Sequence, residues 1–169
     1  MTAYDLVIAA VAVERLIELV VSARHARWAF ARGGVEAGQG HFPAMVALHA
    51  GLLVACLVEV HAAGRPFLPL LGWAAFVAAL GSQGLRWWCI ATLGPQWNTR
   101  VIVVPGMPLV TRGPYRWLRH PNYLAVAVEG VALPLVHTAW LTAIAFTVLN
   151  AVLLLRFRIP AEERALVAA

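Results

Sequence analysis

The densest run of chemically capable side chains is Gly113-Pro114-Tyr115-Arg116-Trp117-Leu118-Arg119-His120-Pro121-Asn122-Tyr123. It ends where an apolar run begins, so its last backbone N–H groups should stand at a helix N-terminus, a position that favours negative charge. Pro121 suits the first helical turn and fixes the approach of His120, with Tyr123 just beyond it on the same helix. A second polar set, Glu162-Glu163, follows Arg156-Phe157-Arg158 near the C-terminus. If the two intervening apolar runs form a helical hairpin, the acids return to the face that carries His120. A basic wall opposite an acidic wall suits a zwitterion bearing both a carboxylate and an amine. The plainer alternatives are a basic interface anchor with belt aromatics and a solvated charged tail.

A second constellation lies inside the apolar runs: Glu14, Arg15 and Glu18 in the first, Glu59 in the second, Arg86 in the third and Glu129 in the fourth. Each costs a few kcal/mol in hydrocarbon unless it faces the bundle and is paired. Glu14 and Glu18 share a helix face, with Arg15 three residues before Glu18. The structural expectation is that Arg15 or Arg86 pairs with a glutamate and ties helices together. Asn98, next to Trp97, either orients a ligand oxygen or opens its loop as an Asx-turn. His41 and His49 fall near one helix face but are too far apart for one metal, which needs closer spacing and a further ligand, so no metal site is expected. His25, His61 and His137 sit at run ends, and Cys56 and Cys89 read as small buried hydrophobes.

The elements that must position these groups follow from composition. Of 169 residues 62% are hydrophobic and 12% charged, with mean hydropathy +0.77, where a soluble domain carries roughly 25% charged residues. A soluble globular protein and a disordered chain are both excluded. Apolar runs fall at about 2–23, 42–63, 67–93, 122–136 and 138–157, near the ~20 residues that cross a bilayer. The first lacks a basic leader and a cleavage site, so it reads as a retained span. The connector 24–41 is polar and glycine-rich. That at 94–121 holds the β-branched stretch Thr99–Val104, a Pro105-Gly106 turn and Pro108–Thr111, and reads as a short hairpin-like loop on the membrane face.

All 13 basic residues are arginine, for a net charge of +5. They occupy gaps between apolar runs rather than a solvated stripe, which argues membrane topology and against nucleic acid. With five spans, Arg24, Arg27, Arg32, Arg100, Arg112, Arg116, Arg119, Arg156, Arg158 and Arg164 share one side and only Arg65 takes the other. The expectation is a single all-α integral membrane domain over 1–169 with five transmembrane helices, N-terminus outside and C-terminus cytoplasmic.

Gly113-Pro114-Tyr115, then Arg119-His120-Pro121-Asn122-Tyr123, then a helical pair and Glu162-Glu163 resemble the isoprenylcysteine carboxyl methyltransferase family of integral-membrane, S-adenosylmethionine-dependent enzymes. The RHPxY-plus-EE pattern covers about 103–166. Glu14-Arg15, His41–Val46 with His49, and Trp97–Ile102 resemble its bacterial YpbQ-like branch and extend the likeness over nearly the whole chain. That branch is associated with type III polyketide synthases and with O-methylation of alkylpyrones or alkylresorcinols.

By this resemblance Arg119, His120 and Tyr123, with Glu162 and Glu163, help hold S-adenosylmethionine (SAM), and Leu109, Val110, Gly113 and Tyr115 line its adenosine side. The cofactor-binding half so implied is about 94–169, with Trp97 and Asn98 on the substrate side; His41 and His49 are read from their spacing as bundle-polar or pocket-lining residues on that side, and the functional reading of the buried charges puts Glu14 or Arg86 near the reacting hydroxyl, where Asn98 would orient a substrate oxygen. The implied location is the bacterial inner membrane, with the site facing the cytoplasm and a lipophilic acceptor arriving from the bilayer. Relatives often continue past the acids with aromatic residues, so the C-terminal wall of the pocket is expected to be either incomplete or built differently here. Alternative acceptors are a prenylcysteine carboxylate or a phospholipid amine. A scaffold or transporter leaves His120, Tyr123 and Glu163 without a task, and a redox enzyme needs a fingerprint that is absent. No GxGxxG follows a strand, so a Rossmann-type SAM domain is not expected.

Overall fold

The computed structural model describes residues 2–167; Met1, Ala168 and Ala169 of the expected domain lie outside them. The chain is mostly helical, with five continuous helices: α1 Ala3–Phe30, α2 Phe42–Ala62, α3 Pro69–Leu93, α4 Pro121–Leu135 and α5 Trp140–Val167. Their starts are written locally. Thr2 and Asp5 cap α1 reciprocally, Asp5 N–H donating to Thr2 Oγ1 at 3.3 Å and Thr2 N–H to Asp5 Oδ2 at 2.6 Å. α2, α3 and α4 each carry proline in the first turn, where its missing N–H costs nothing. Pro134 ends α4, and Thr138, at φ 53°, turns the chain into α5 while its hydroxyl donates to Pro66 O at 2.9 Å.

Three expectations are corrected. α1 runs to Phe30, so Arg24 and Arg27 ride on a helix rather than in a connector. α5 continues through a π-helical turn at Leu154–Arg158 to Val167, so Glu162 and Glu163 stand on a helix and not on a tail. The strand within 94–121, β2 Val101–Val103, does not fold back on its own loop. It pairs antiparallel with β1, Val35–Ala37, from the first connector, with Glu36 opposite Ile102. Pro105 and Pro108 cannot donate to a ladder, while Glu36 accepts from Arg100 Nε at 2.5 Å and from its Nη2. Among the described residues the fold is thus helical with one two-stranded ribbon, and that ribbon joins the first connector to the arginine-bearing 94–121 connector at the same end of the bundle.

α3 packs most extensively on α4, and α4 on α5. The core joins Tyr4, Ile8 and Val11 of α1 to Leu52 and Cys56 of α2 and to Leu133 of α4, whose carbonyl accepts from the Tyr4 hydroxyl at 3.0 Å. α4 and α5 approach closely at Gly130, where a Cβ would stand 2.1 Å from Phe146 Cε1. Phe146 is buried and meets His49 edge-on at 5.4 Å, so its ring has nowhere to retreat. Gly130→Ala is therefore expected to destabilise by about 1–3 kcal/mol, read as a lower thermal midpoint of the detergent-solubilised protein.

Residues Gln39–Ala62 and Trp140–Val167 form helices long and apolar enough to cross a bilayer. α1 and α3 are longer than needed, at 28 and 25 residues, but carry Glu14, Arg15, Glu18, Gln83 and Arg86 mid-helix; α4 has only 15 residues. The outer face of α3 is nonetheless a helical stripe of exposed apolar side chains, Leu70, Trp73, Val77 and Leu80, the surface a lipid environment would cover.

Candidate active site

At the end of the bundle that carries the β-ribbon, His120 is the cap residue of α4 and its imidazole stacks on Tyr123, ring centroids 5.2 Å apart. The last two turns of α5 lie against this pair. Tyr123 donates its hydroxyl hydrogen to Glu162 and accepts from Arg158 Nε at 3.0 Å. Glu162 Oε1 is 3.8 Å from His120 Nδ1, and Glu163 Oε1 is 4.0 Å from His120 Nε2. The hairpin of α4 and α5 thus brings together the two polar sets that are 39 residues apart at Tyr123 and Glu162.

Arg158 is the residue that sequence reasoning missed. It is 5% exposed, it bridges the cluster, and its Nη1 is buried with no hydrogen-bond partner among the described residues, as is Asn122 Oδ1. A signal was present: Arg158 and Glu162 stand four apart on one helix. As one arginine in a basic terminal segment, it read as a topology charge.

The connector that resembles an adenosine wall borders this cluster. Gly113 sits at φ 56°, and a Cβ there would meet Thr92 Oγ1 at 2.6 Å, so only glycine lets the 113–116 turn close on α3. That turn seats the Tyr115 phenol against Cys89, within the field of Glu162 and Tyr123. Burial pushes the Tyr115 phenol up, and the Cys89 thiol adds to it, so Tyr115 is a neutral hydrogen-bonding group and not a base. Leu109 and Arg119 are exposed and Val110 is half-buried.

The other expected site residues lie elsewhere, along the inward face of α1. Arg86, 4% exposed, pairs with Glu129 and stands 3.4 Å from Glu18. Arg15 Nη2 donates to both oxygens of Glu129 at 2.6 Å, and Gln83 Nε2 donates to the same carboxylate at 3.2 Å. This is the pairing expected of Arg15 or Arg86; both make it, and with the same glutamate. Glu14 accepts from Trp87 Nε1 at 2.5 Å. One turn beyond Glu18, Ser22 Oγ donates to Asn98 Oδ1 at 2.8 Å, Asn98 Nδ2 donates to Ser22 O at 3.0 Å, and Arg100 N–H donates to Asn98 Oδ1 at 2.9 Å. Asn98 is therefore an Asx-turn pinned to α1. Trp97 is 3% exposed beneath His25. His49 is held by Met45 O at 2.8 Å, whereas His41 lines a cleft at the cytoplasm-expected end of α2.

Residues 73–168 match the model of the isoprenylcysteine carboxyl methyltransferase (ICMT) family. The chain belongs to that family, whose members are membrane methyltransferases. The match begins in α3, earlier than the RHPxY motif alone reveals, and contains every member of the His120 cluster. The chain is also 36% identical over 162 residues to YpbQ of Bacillus subtilis (strain 168), covering 95% of each protein. A relative from Haemophilus influenzae is 24% identical over 155 residues, 90% of this chain and 88% of its own. Both are described only as uncharacterized proteins. At 95% coverage the YpbQ match also extends over chain that the family match, beginning at residue 73, leaves out.

Proposed function

We propose that this protein transfers a methyl group from SAM to a hydroxyl of a lipid-like acceptor, an alkylpyrone or alkylresorcinol made by a type III polyketide synthase. The observation that carries the reading is the Arg158–Tyr123–Glu162–His120 network in a chain of a methyltransferase family. The residues fit the methyl donor. Its amino-acid end is a zwitterion, and the cluster offers for the carboxylate a guanidinium nitrogen of Arg158 that has no partner among the described residues, and for the amine the Glu162 and Glu163 carboxylates. The neutral Tyr115 phenol and the backbone of 109–113 suit the adenosine. SAM supplies, when bound, an electrophilic methyl on a sulfonium.

The chain's own task is alignment and exclusion of water, since in-line displacement is governed by approach geometry. Arg158 and Tyr123 orient the Glu162 carboxylate, and the stack of His120 on Tyr123 closes one wall. In this reading Glu14, Arg86 and Asn98 hold the helices that frame the acceptor side. Five helices cross the bacterial inner membrane with the β-ribbon end in the cytoplasm, which puts ten arginines inside and leaves Arg65 outside. A water-soluble donor then enters from the cytoplasm and a lipophilic acceptor from the bilayer.

The test is SAM binding to the purified full-length protein, followed by labelled-methyl transfer to an alkylpyrone, an alkylresorcinol and a prenylcysteine analogue. Saturable binding is expected, weakened at least about tenfold by His120→Ala and by Glu162→Ala, each of which removes a charge-assisted contact. Absence of SAM binding by folded wild-type protein would sink the reading, and transfer only to the prenylcysteine would replace the acceptor.

A further inference from the structure

Arg112, Arg116 and Arg119 stand exposed on the connector that leads into α4. The chain has eight acids, and each is engaged elsewhere. Asp5 faces His61, Glu36 takes Arg100, Glu59 takes Arg65, and Glu14 bonds Trp87. Glu18 and Glu129 share Arg15 and Arg86, while Glu162 and Glu163 face His120. From Val60 to Val128 the sequence has no acid at all. The positive charges of this loop therefore have no counter-charge within the chain.

Where the loop is not basic it is apolar and open. Trp117 is 68% exposed, and Leu109 and Leu118 are exposed as well. Trp117 meets Trp88 of α3 edge-on, ring centroids 6.1 Å apart, and Trp88 is itself exposed. Gly84, Trp88 and Ala91 continue, at helical spacing, the outer apolar stripe of Leu70, Trp73, Val77 and Leu80. Trp117 thus extends that stripe to the point where it meets charge: the Arg116 guanidinium lies 5.9 Å from the Trp117 ring centroid. Tryptophan beside arginine at the limit of an apolar face is the composition of a membrane–water interface. A soluble anion would account for the arginines and leave the apolar side chains unexplained. A charged lipid accounts for both.

The two arginines bracket a turn that matters. Arg112 precedes the one-turn helix Gly113–Arg116 and Arg116 ends it. That turn packs Gly113 against Thr92 and Trp88 and seats Tyr115 against Cys89. We propose that an anionic phospholipid of the leaflet on the β-ribbon side binds this loop, its phosphate received by Arg112 and Arg116 and its chain lying along Trp117 and Trp88, and that it thereby holds the Tyr115 turn closed for the methyl donor. Guanidinium groups suit a phosphate because they bond it in a planar fork, and basic segments at a bilayer surface collect anionic lipid. The coupling to the donor rests on the methyltransferase reading; the lipid site does not.

The first readout is lipid retention by the full chain, measured by native mass spectrometry with phosphatidylglycerol and phosphatidylcholine offered at equal concentration. Wild type is expected to favour phosphatidylglycerol at least about fivefold, the scale of one arginine at an anionic surface. Arg112→Gln/Arg116→Gln should bring that ratio near one, and Arg112→Lys/Arg116→Lys should keep most of it. Both positions are exposed, so the variants keep their fold. Arg24→Gln/Arg27→Gln removes the same charge from exposed positions on α1 and should change nothing. The second readout is the Kd for SAM in nanodiscs of phosphatidylcholine, with and without phosphatidylglycerol. The gain from phosphatidylglycerol should be at least about fivefold larger in wild type than in the glutamine pair, the low end of coupling between two sites. Comparing gains cancels the attraction of a cationic donor to an anionic surface. Equal retention of the two lipids by wild type overturns the proposal, as does equal loss in the Arg24/Arg27 control. So does an equal gain in SAM affinity by wild type and variant. Soluble glycerol phosphate that replaces phosphatidylglycerol in phosphatidylcholine nanodiscs would make this a soluble-anion site and also overturn it. Lipid selectivity that the glutamine pair abolishes, in a protein that binds no SAM in any disc, would uphold the lipid site and sink the methyltransferase reading instead.

Discussion

Replacing Glu129 with alanine is expected to destabilise the bundle by about 3–5 kcal/mol, the cost of leaving a buried charge without its partner. Glu129 holds Arg15, Gln83 and Arg86 at once, and with Glu18 it balances the two arginines. Its removal leaves two guanidinium groups facing one carboxylate between packed helices, where a buried charge without its partner is strongly destabilising. The measurement is the thermal midpoint and monodispersity of detergent-purified protein. A paired substitution separates charge imbalance from lost packing. Arg86→Met with Glu129→Leu removes one charge of each sign, leaves Arg15 with Glu18, and should recover much of the stability, as apolar replacement of buried ion pairs does. If the double variant is no more stable than Glu129→Ala, charge balance is not what holds these helices. Glu14→Ala, by contrast, frees only the partly exposed Trp87 Nε1 and should move the midpoint little.

Arg158→Leu carries the second large effect. The guanidinium donates to the Tyr123 hydroxyl, which donates in turn to Glu162, and its own Nη1 is unpartnered. Its loss takes a donor from the Tyr123 hydroxyl that holds Glu162, and removes a donor suited to a carboxylate. Charge-assisted hydrogen bonds of this kind contribute about 1.5–3 kcal/mol, on the order of tenfold to a hundredfold in the Kd for SAM. Arg158→Lys should not restore it, because a point charge cannot bond Tyr123 and present a second N–H in a planar fork. The readout that a merely structural role would not move is the split between substrates: KM for SAM should rise while KM for the acceptor stays. An equal rise in both would assign Arg158 to the fold and not to the donor.

Much of this architecture is legible in the chain because the signals are local. Prolines at the starts of α2, α3 and α4, the Thr2/Asp5 cap and the Pro134 stop are each read within a few residues. So is the inward face of α1, where Arg15, Glu18 and Ser22 recur at helical spacing among exposed apolar residues. The C-terminal chemistry is legible for the same reason, as His120-Pro121 and Glu162-Glu163 are compact motifs flanking two apolar runs.

By itself the sequence determined that this is a helical, membrane-type chain of the ICMT family, with its polar chemistry concentrated in the C-terminal half. Hydrophobic run length, arginine placement and short motifs are properties of neighbouring residues and need no knowledge of packing. Only the tertiary structure decided the partners. Strand β2 found β1 some 64 residues away at Arg100 and Glu36, rather than its own loop, because prolines spoil the nearer partner and an ion pair rewards the distant one. Asn98 could bond a ligand or Ser22, and the close passage of α1 chose Ser22. Whether Arg158 is a topology charge or the bridge of a site depends on its rotation about α5, which the π-helical turn at Leu154–Arg158 resets. That phase sets which side chains meet Tyr123, and it exists only once α5 has packed against α4.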